Sequence, residues 1–587
     1  MKKITKKLMA IFLAVTLAMS MFAVSSSAFF GEDDYFEDDY FDDFYDEYYD
    51  TITLDGVHYV VSISDEYSYA TVSDFETDEE GNSVLPEVVV IPETIDFEGT
   101  PVTVTEIGFM AFAECSTLRE ITLPATIANI DDYAFSNAAY LEKAVIPSEI
   151  EFEYFGSEVF AGTPVLGYFA ENCADGEVIL GKNVLLAYLG NEKSYTIPEE
   201  IDFIADYSFF MSGIEEINFN ENIQIIPDYA FASCRNLKEI TIPDSITSIG
   251  EGAFSNCANL EKANLGDSLE FLNCKVFEGT KVKEIYIGAS VYDIAGAFAG
   301  CNTIETVTVS EDNPNYFTDG NAVYYIYSYE DGSTSYALEY FIITADETTF
   351  TVPETVESIG AYAFYNCKQL DEVIINSPVY ISYQAFSYCD FEDFDFTNVT
   401  DIGYAAFRGC KNLTEIDLSD VYYIEDSAFE NCINLKNVTF SDSVYYVGSR
   451  AFANTALTEV EISGDWCDIG EAAFANCKNL KKVRFNDGVS YINANVFSSC
   501  PSLETVFVSK TVEYIDYYAF EDCQDVVFEI IMHSESADTI IEYAEDEEND
   551  VTHYEFVGKL SFFERVSIFF TNIFEQIAEF LFGWIYW

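Results

Sequence analysis

The chain has 587 residues, of which 49% are apolar and 16% aromatic, a composition that supplies ample core and excludes a globally disordered protein. Its 104 Asp and Glu residues face only 26 Lys and Arg, and the formal charge of -78 makes nucleic acids and anionic membranes poor partners. Only three histidines occur, His58, His533 and His553, which leaves little material for histidine catalysis or a multi-histidine metal site.

Residues 1–28 are predicted to form an export signal. Four lysines within the first seven residues precede an apolar run from Leu8 to Val24, and small residues at 26–28 provide a cleavage site. An uncleaved membrane anchor is the alternative. The next segment, 29–50, is almost entirely acidic and aromatic, and charge repulsion should keep it extended. It is either a solvated spacer or a segment that binds a basic partner or cations.

From residue 105 to 525 the chain repeats itself. One unit is LKEITIPDSITSIGEGAFSNCAN (237–259), in which alternating apolar residues predict a first short strand, S-I-G marks a second, and A-F-x-x-C a tight turn. A unit of this length cannot bury its apolar side alone, so the units must stack into a solenoid. The repeat phenylalanines are Phe112, Phe135, Phe160, Phe209, Phe231, Phe254, Phe277, Phe298, Phe364, Phe386, Phe407, Phe429, Phe452, Phe474, Phe497 and Phe520.

Two longer gaps between these phenylalanines predict insertions, at about 173–198 and 311–351. Residues 322–343 alternate around Asp331-Gly332 and predict a β-hairpin. A shorter hairpin is expected over 183–198, around Gly190-Asn191. The segments before and after the repeats, 51–104 and 526–557, are expected to cap the solenoid.

The repeat resembles the BspA-type leucine-rich repeat of secreted and surface-exposed bacterial proteins. IPDSITSIGEGAFSNC (242–257) and VPETVESIGAYAFYNC (352–367) follow that family's pattern, and the resemblance covers about residues 50–557. DGVHYVV (55–61) resembles the start of the family's N-terminal cap, and SESADTIIEYAEDEEN (534–549) resembles its closing helix. The resemblance implies a leucine-rich-repeat solenoid of stacked short parallel strands, with a binding or adhesion role and no enzyme activity.

Eleven of the fourteen cysteines lie three residues after a repeat phenylalanine. Equivalent side chains in stacked turns point the same way and stay farther apart than a disulfide requires, so we expect a ladder of buried free thiols. These cysteines are Cys115, Cys234, Cys257, Cys301, Cys367, Cys389, Cys410, Cys432, Cys477, Cys500 and Cys523. Cys173, Cys274 and Cys467 lie outside the ladder, and their oxidation state is open. No zinc spacing or catalytic motif occurs, so we expect no metal, no cofactor and no enzyme.

Two outward columns are candidate binding surfaces. The first, six residues before the repeat phenylalanines, carries Tyr380, Asp401, Tyr423, Tyr446, Asp468, Tyr491 and Tyr514 in successive C-terminal repeats. It is either a structural tyrosine ladder or a stripe that grips a glycan or protein. The second lies on the first strand and carries Glu120, Glu216, Glu239, Glu284, Glu372, Glu415 and Glu459. It is either a solvated face, with Lys238 and Lys283 relieving repulsion, or an acidic track for a basic partner or cations.

Residues 558–587 are predicted to form an amphipathic apolar helix. Glu564, Glu575 and Glu579 interrupt any membrane span, so self-association, docking on an envelope partner and interfacial membrane attachment are the alternatives, in that order. The whole pattern predicts a secreted or cell-surface protein that binds a protein or glycan ligand, in the host or on a neighbouring cell. The alternative is a structural envelope or biofilm component that acts by self-association.

Overall fold

The computed structural model describes residues 50–63, 68–78, 81–173, 176–329, 331–342, 348–463, 467–523, 526–532, 541 and 553–559. The predicted signal, the acidic segment before residue 50, His533 and the tail from residue 560 lie outside these residues. Of the closing helix expected at 534–549, only residue 541 is described. The chain divides into two compact units, Met1–Ala297 and Phe298–Trp587. Each unit contains stacked turns of a parallel β-solenoid.

The first unit contains one helix and twenty-one strands in its described part. In chain order they are β1 (Asp50–Leu54), β2 (Val57–Ile63), β3 (Ser68–Phe75), β4 (Val88–Val90), β5 (Thr94–Phe97), β6 (Thr100–Ile107), β7 (Glu120–Thr122), β8 (Asn129–Ile130), β9 (Lys143–Val145), β10 (Tyr154–Phe155), α1 (Val165–Asn172), β11 (Glu177–Leu180), β12 (Val184–Tyr188), β13 (Ser194–Thr196), β14 (Phe203–Ile204), β15 (Glu216–Asn218), β16 (Ile225–Ile226), β17 (Glu239–Thr241), β18 (Ser248–Ile249), β19 (Lys262–Asn264), β20 (Phe271–Leu272) and β21 (Glu284–Ile287).

The described part of the second unit contains twenty-one strands. They are β22 (Thr306–Val309), β23 (Tyr316–Thr318), β24 (Ala322–Ser328), β25 (Thr334–Phe341), β26 (Thr349–Val352), β27 (Val356–Ile359), β28 (Glu372–Ile375), β29 (Val379–Ile381), β30 (Val399–Ile402), β31 (Glu415–Leu418), β32 (Tyr423–Ile424), β33 (Asn437–Phe440), β34 (Tyr446–Val447), β35 (Glu459–Ile462), β36 (Asp468–Ile469), β37 (Lys482–Phe485), β38 (Tyr491–Ile492), β39 (Thr505–Val508), β40 (Tyr514–Ile515), β41 (Val527–Met532) and β42 (His553–Lys559).

Each repeat turn supplies two short strands that pair in parallel with the same strands of adjacent turns. In the turn of residues 237–259, β17 pairs with β19, while β18 lies between β16 and β20. Alternation along β17 buries Ile240 and leaves its two neighbours exposed. Both strands of this turn therefore face the core with one side only, as the sequence pattern predicts.

A stack of phenylalanine rings forms the centre of both units. In the first unit the rings of Phe112 and Phe135 lie 5.3 Å apart and nearly parallel, and Phe209 and Phe231 are 4.8 Å apart. In the second unit the stack is unbroken from Phe364 to Phe520, for example 5.2 Å between Phe386 and Phe407. The repeat phenylalanines are almost fully buried. Offset stacking at these separations adds to the burial of their apolar surface, so this column holds adjacent turns together.

The tight turn around each phenylalanine depends on a left-handed backbone residue. All sixteen residues two positions after a repeat phenylalanine have positive φ, and eleven of them are Asn, Gly or Asp, the types that tolerate this conformation best. They are Glu114, Asn137, Gly162, Met211, Ser233, Asn256, Gly279, Gly300, Asn366, Tyr388, Gly409, Asn431, Asn454, Asn476, Ser499 and Asp522. The left-handed turn lets the backbone donate hydrogen bonds to the next turn, as Asn431 does to Ala453 at 2.9 Å.

The two insertions differ in how well the sequence predicted them. The second is confirmed: β24 and β25 form an antiparallel hairpin, with Gly332 at positive φ in the connection. The hairpin expected over 183–198 is wrong in position. Here β12 pairs with β11, so the chain reverses at residues 181–183, and β13 pairs in parallel with β15 as an ordinary repeat strand. The segment S-Y-T-I-P (194–198) follows the repeat pattern, because the buried Tyr195 and Ile197 take the repeat's inward positions.

Additional strands close the ends of the described solenoid turns. In the first unit β1, β2 and β3 form an antiparallel sheet, and β3 pairs in parallel with β6, which carries the first repeat. In the second unit β42 pairs in parallel with β41. The helix expected to begin at residue 558 is wrong at its start, because β42 continues through Lys559 to complete its pairing with Met532.

Candidate functional site

The first outward column, here named the tyrosine column, lies on adjacent strands of the second unit, where its residues stand directly opposite one another. The parallel ladder pairs Tyr380 with Asp401, Asp401 with Tyr423, Tyr423 with Tyr446, and Tyr446 with Asp468. A separate two-stranded ladder pairs Tyr491 with Tyr514. Each residue precedes a buried Ile or Val, so strand alternation turns it away from the core. The sequence therefore predicted the alignment of the column correctly.

The rings at the centre of this column form a compact aromatic surface. Tyr423 and Tyr446 stack with ring centroids 4.6 Å apart, and the ring of Tyr445 lies 5.3 Å from that of Tyr423. Tyr423 and Tyr446 are half-buried, whereas Tyr422 and Tyr445 are 45% and 50% exposed. We name Tyr422, Tyr423, Tyr445 and Tyr446 the tyrosine patch. Tyr422 and Tyr445 are not among the binding residues predicted from the sequence, although each directly precedes a residue of the predicted column.

The hydroxyl of Tyr446 ties the patch to the framework of the solenoid. It donates a hydrogen bond to Asp426 Oδ1 at 3.1 Å, and the same oxygen accepts the backbone N–H of Ser449 at 2.6 Å. Burial and the nearby Asp426 carboxylate raise the pKa of Tyr446 above its ordinary value. Tyr446 therefore supports the sheet as well as facing outward, and the exposed Tyr422 and Tyr445 are the patch residues best suited to contact a ligand.

The remaining tyrosines of the column are arranged more loosely. Tyr491 and Tyr514 are 52% and 48% exposed, and their rings lie 6.4 Å apart. The first unit has a mixed column instead, in which Glu106, Asn129 and Tyr154 are opposed in successive turns. Strand formation alone thus does not require tyrosine at this position.

The glutamate column lies on the first strands, and most of its members are exposed. Part of its repulsion is relieved by the equivalent residue of the adjacent turn. Glu120 is opposed to Lys143, with which it forms an ion pair, and Glu459 is opposed to Lys482 at 3.6 Å. Directly opposed side chains are closer than residues beside them along one strand, which explains this pairing. The column is therefore interrupted by cations and is not a continuous acidic track.

The cysteine ladder is structural. All fourteen cysteines are free thiols, and the eleven ladder positions are buried. In eight turns the thiol donates a hydrogen bond of 3.1–3.4 Å to the carbonyl oxygen of the preceding turn's phenylalanine. Thr163, Thr280 and Thr455, which replace cysteine in other turns, donate to the phenylalanine carbonyl of their own turn. Burial raises the pKa of Cys410 to about 12, so its reactive thiolate is rare at neutral pH.

The described residues contain no group of three or more His, Cys, Asp or Glu side chains placed to hold a metal ion. Within the same part of the chain, no helix has the length and apolar character needed to cross a bilayer. In the loop of 311–321, Asn313 and Asp319 use side-chain oxygens to accept backbone N–H groups of the turn.

Fold and surface together define a class of protein, a leucine-rich-repeat solenoid with a regular core and an outward aromatic column. The sequence matches the profile of the BspA type leucine rich repeat region, in six copies, over residues 94–169, 183–313, 338–422 and 400–527. The chain therefore belongs to the BspA-type leucine-rich-repeat family, a non-catalytic repeat family of surface-associated bacterial proteins. Among curated proteins, none matches the sequence.

Several solved leucine-rich-repeat structures are similar to this chain. The pneumococcal vaccine antigen PcpA is 15% identical, with 87% of this chain and 98% of that chain covered and a TM-score of 0.35. A leucine-rich cell surface protein from Faecalibacterium prausnitzii is 18% identical, covering 87% and 95%, with a TM-score of 0.27. A leucine-rich-repeat protein from Bacteroides ovatus is 22% identical, covering 82% and 99%, with a TM-score of 0.26.

Proposed function

We propose that the protein is a secreted or cell-surface binding protein that holds a protein or glycan ligand against the tyrosine patch, without catalysis. The observation that carries this proposal is the stacked pair Tyr423 and Tyr446 with the exposed Tyr445 ring beside it. The exposed Tyr422 lies in the equivalent position of the preceding turn, where its carbonyl accepts the backbone N–H of Tyr445. Tyrosine supplies a flat apolar face for stacking and a hydroxyl for hydrogen bonds, which suits both sugars and protein side chains. Asp401 and Asp468 flank the stacked pair in the same column and add hydrogen-bond acceptors.

The export step of the proposal rests on residues 1–28 and on the surface association of the family. Expression of the full chain in a bacterial host, followed by fractionation and N-terminal sequencing, tests it. We expect the processed chain outside the cytoplasm, beginning near residue 29. Retention of an unprocessed chain in the cytoplasm would contradict export.

A ligand screen tests the binding function. The exported chain is applied to a glycan array and used to capture proteins from matrix extracts and bacterial surface fractions. A saturable partner supports the proposal. Self-assembly without any saturable partner supports the structural alternative, in which residues 560–587 mediate association.

A further inference from the structure

The first unit has a groove that the repeat pattern does not require. It has a volume of about 740 Å³, within the range of ordinary ligand sites, and lies where the stack is interrupted by the insertion between Phe160 and Phe209. One wall is formed by residues 152–157, around β10, and the other by residues 202–206 and 221–227, around β14 and β16. The groove is distinct from the tyrosine patch, which belongs to the second unit.

The outer edge of β10 lacks the pairing that other turns have. In a regular turn, the carbonyls of Thr247 and Ile249 accept hydrogen bonds from the backbone N–H groups of Glu270 and Asn273 in the following turn. The equivalent carbonyls in the β10 turn belong to Glu153 and Phe155. Within the described part of the chain β10 pairs only with β8, and no backbone donor reaches these two carbonyls. They line the groove and are available to a strand laid beside them.

A buried side chain already substitutes for part of the missing strand. Asn183 is 1% exposed; its Oδ1 accepts the backbone N–H of Phe152 at 2.9 Å, and its Nδ2 donates to the Phe152 carbonyl at 2.8 Å. The same Nδ2 donates to Asp202 Oδ2 on the opposite wall at 2.8 Å. One amide therefore bridges the two walls at the end of the groove, and it pairs the backbone as an adjacent strand would.

The lining of the groove indicates the chemistry of its occupant. Four carboxylates, from Glu153, Asp202, Asp206 and Glu221, line it, and no Lys, Arg or His does. Apolar side chains are interspersed with them: Tyr154 is 44% and Ile225 55% exposed. An adjoining cavity of about 50 Å³, lined largely by apolar residues and by Asp206 and Glu158, shares Phe155, Ala205 and Asp206 with the groove. Carboxylates beside apolar side chains suit the charged end and aliphatic stem of a lysine or arginine.

We propose that this groove binds an extended basic peptide segment, which pairs as a strand with β10 and sets Lys or Arg side chains against the groove carboxylates. Strand addition at an open edge gives backbone hydrogen bonds, and alternating pockets read the side chains.

The test uses the full chain and a blocked octapeptide of alternating Lys and Val, titrated near physiological salt to limit non-specific attraction. Glu153→Gln with Glu221→Gln removes two exposed groove charges and should weaken binding about tenfold or more. The matched control, Glu261→Gln with Glu270→Gln, removes two exposed charges elsewhere in the same unit and should change affinity less than about twofold. Equal losses in both double variants, or no binding to the wild type, would overturn the proposal.

Two modified probes test strand pairing separately from charge. Peptides N-methylated at the odd or at the even residues keep every charge but lose hydrogen-bond donors along opposite edges. Pairing with β10 predicts that one of them loses binding and the other keeps it. If both peptides bind as well as the parent peptide, or if spermine binds with equal affinity, the site is not a strand-pairing peptide site.

Discussion

At the residue scale, the position three residues after each phenylalanine sets both packing and reactivity. The thiol there is buried and donates to a carbonyl of the preceding turn. In other turns threonine donates to the phenylalanine carbonyl of its own turn, and Ser212 forms a hydrogen bond with the Cys234 thiol. Because threonine and serine replace cysteine at this position, the side chain there serves packing and hydrogen bonding. All fourteen cysteines are accordingly free thiols, although the chain has a predicted export signal. The sequence predicted the ladder because its spacing follows the repeat, but the thiol's hydrogen-bond acceptor could be identified only from the stacked backbone.

We therefore predict that the native chain resists thiol reagents. Only the half-buried Cys173 and Cys274 should react at neutral pH. Cys274 should react slowly, because burial and the Glu251 carboxylate raise its pKa to about 12. Denatured chain should label at all fourteen sites, as counted by mass spectrometry. Bridges between successive ladder positions under non-reducing conditions would contradict the stacking account.

The residue two positions after each repeat phenylalanine has a left-handed backbone, and we predict that a β-branched side chain there lowers stability. Asn454 has φ of 60° and its N–H donates to Ala475 at 2.9 Å. Asn454→Val places a β-branched residue in that conformation and should lower the free energy of unfolding by about 1–2 kcal/mol. Asn454→Gly is the control and should be close to neutral. Equal stability of both variants in denaturant titrations would show that the backbone conformation is not the constraint.

At the element scale, acidic side chains connect successive turns. Asp132, Asp206, Asp228 and Asp426 lie three residues before a phenylalanine, and each accepts the equivalent backbone N–H of a later turn. In the first unit this places carboxylates close together. Burial, followed by the neighbouring Glu251 and Asp132 carboxylates, raises the pKa of Asp228 from 3.8 to about 6.

This shift predicts that the first unit is more stable in mild acid. A carboxyl group whose folded pKa is raised contributes stability that is fully present below its unfolded pKa near 3.8 and is lost as the pH rises through about 6. Thermal unfolding should therefore give a higher Tm at pH 5 than at pH 8. Asp228→Asn should reduce this difference, whereas Glu261→Gln, an exposed control, should not. A Tm difference unchanged by Asp228→Asn would contradict the assignment.

The insertions show where sequence patterns fail at this scale. Asp331-Gly332 between alternating strands predicted the second hairpin because turn and strand signals agree. Gly190-Asn191 gave the same signal falsely, since the strand after it belongs to the repeat and pairs with β15. The eight-residue helix α1 was missed because it is too short for a clear helical period, although it buries Val165 and Phe169 against the core.

At the scale of the whole molecule, the repeat fixes the core and leaves the outward positions to vary. The core could be predicted from the sequence because each inward residue recurs in every turn. The groove could not be predicted from the sequence, because it results from an interruption of the stack and is lined by side chains distant in sequence. The tyrosine patch was predicted in part: the column follows from the repeat, whereas the exposure of Tyr422 and Tyr445 depends on where β32 and β34 begin.

One measurement tests the central claim most directly. It compares the wild-type chain with the double variant Tyr422→Ser, Tyr445→Ser for binding to the glycan array and to surface-protein fractions. Tyr140→Ser with Tyr286→Ser, at exposed sites of the first unit, is the matched control. We predict that the patch variant keeps the wild-type Tm and loses about 2 kcal/mol or more of binding free energy, while the control binds normally. Unchanged binding by the patch variant, with its fold intact, would contradict the account and leave the tyrosines as scaffolding.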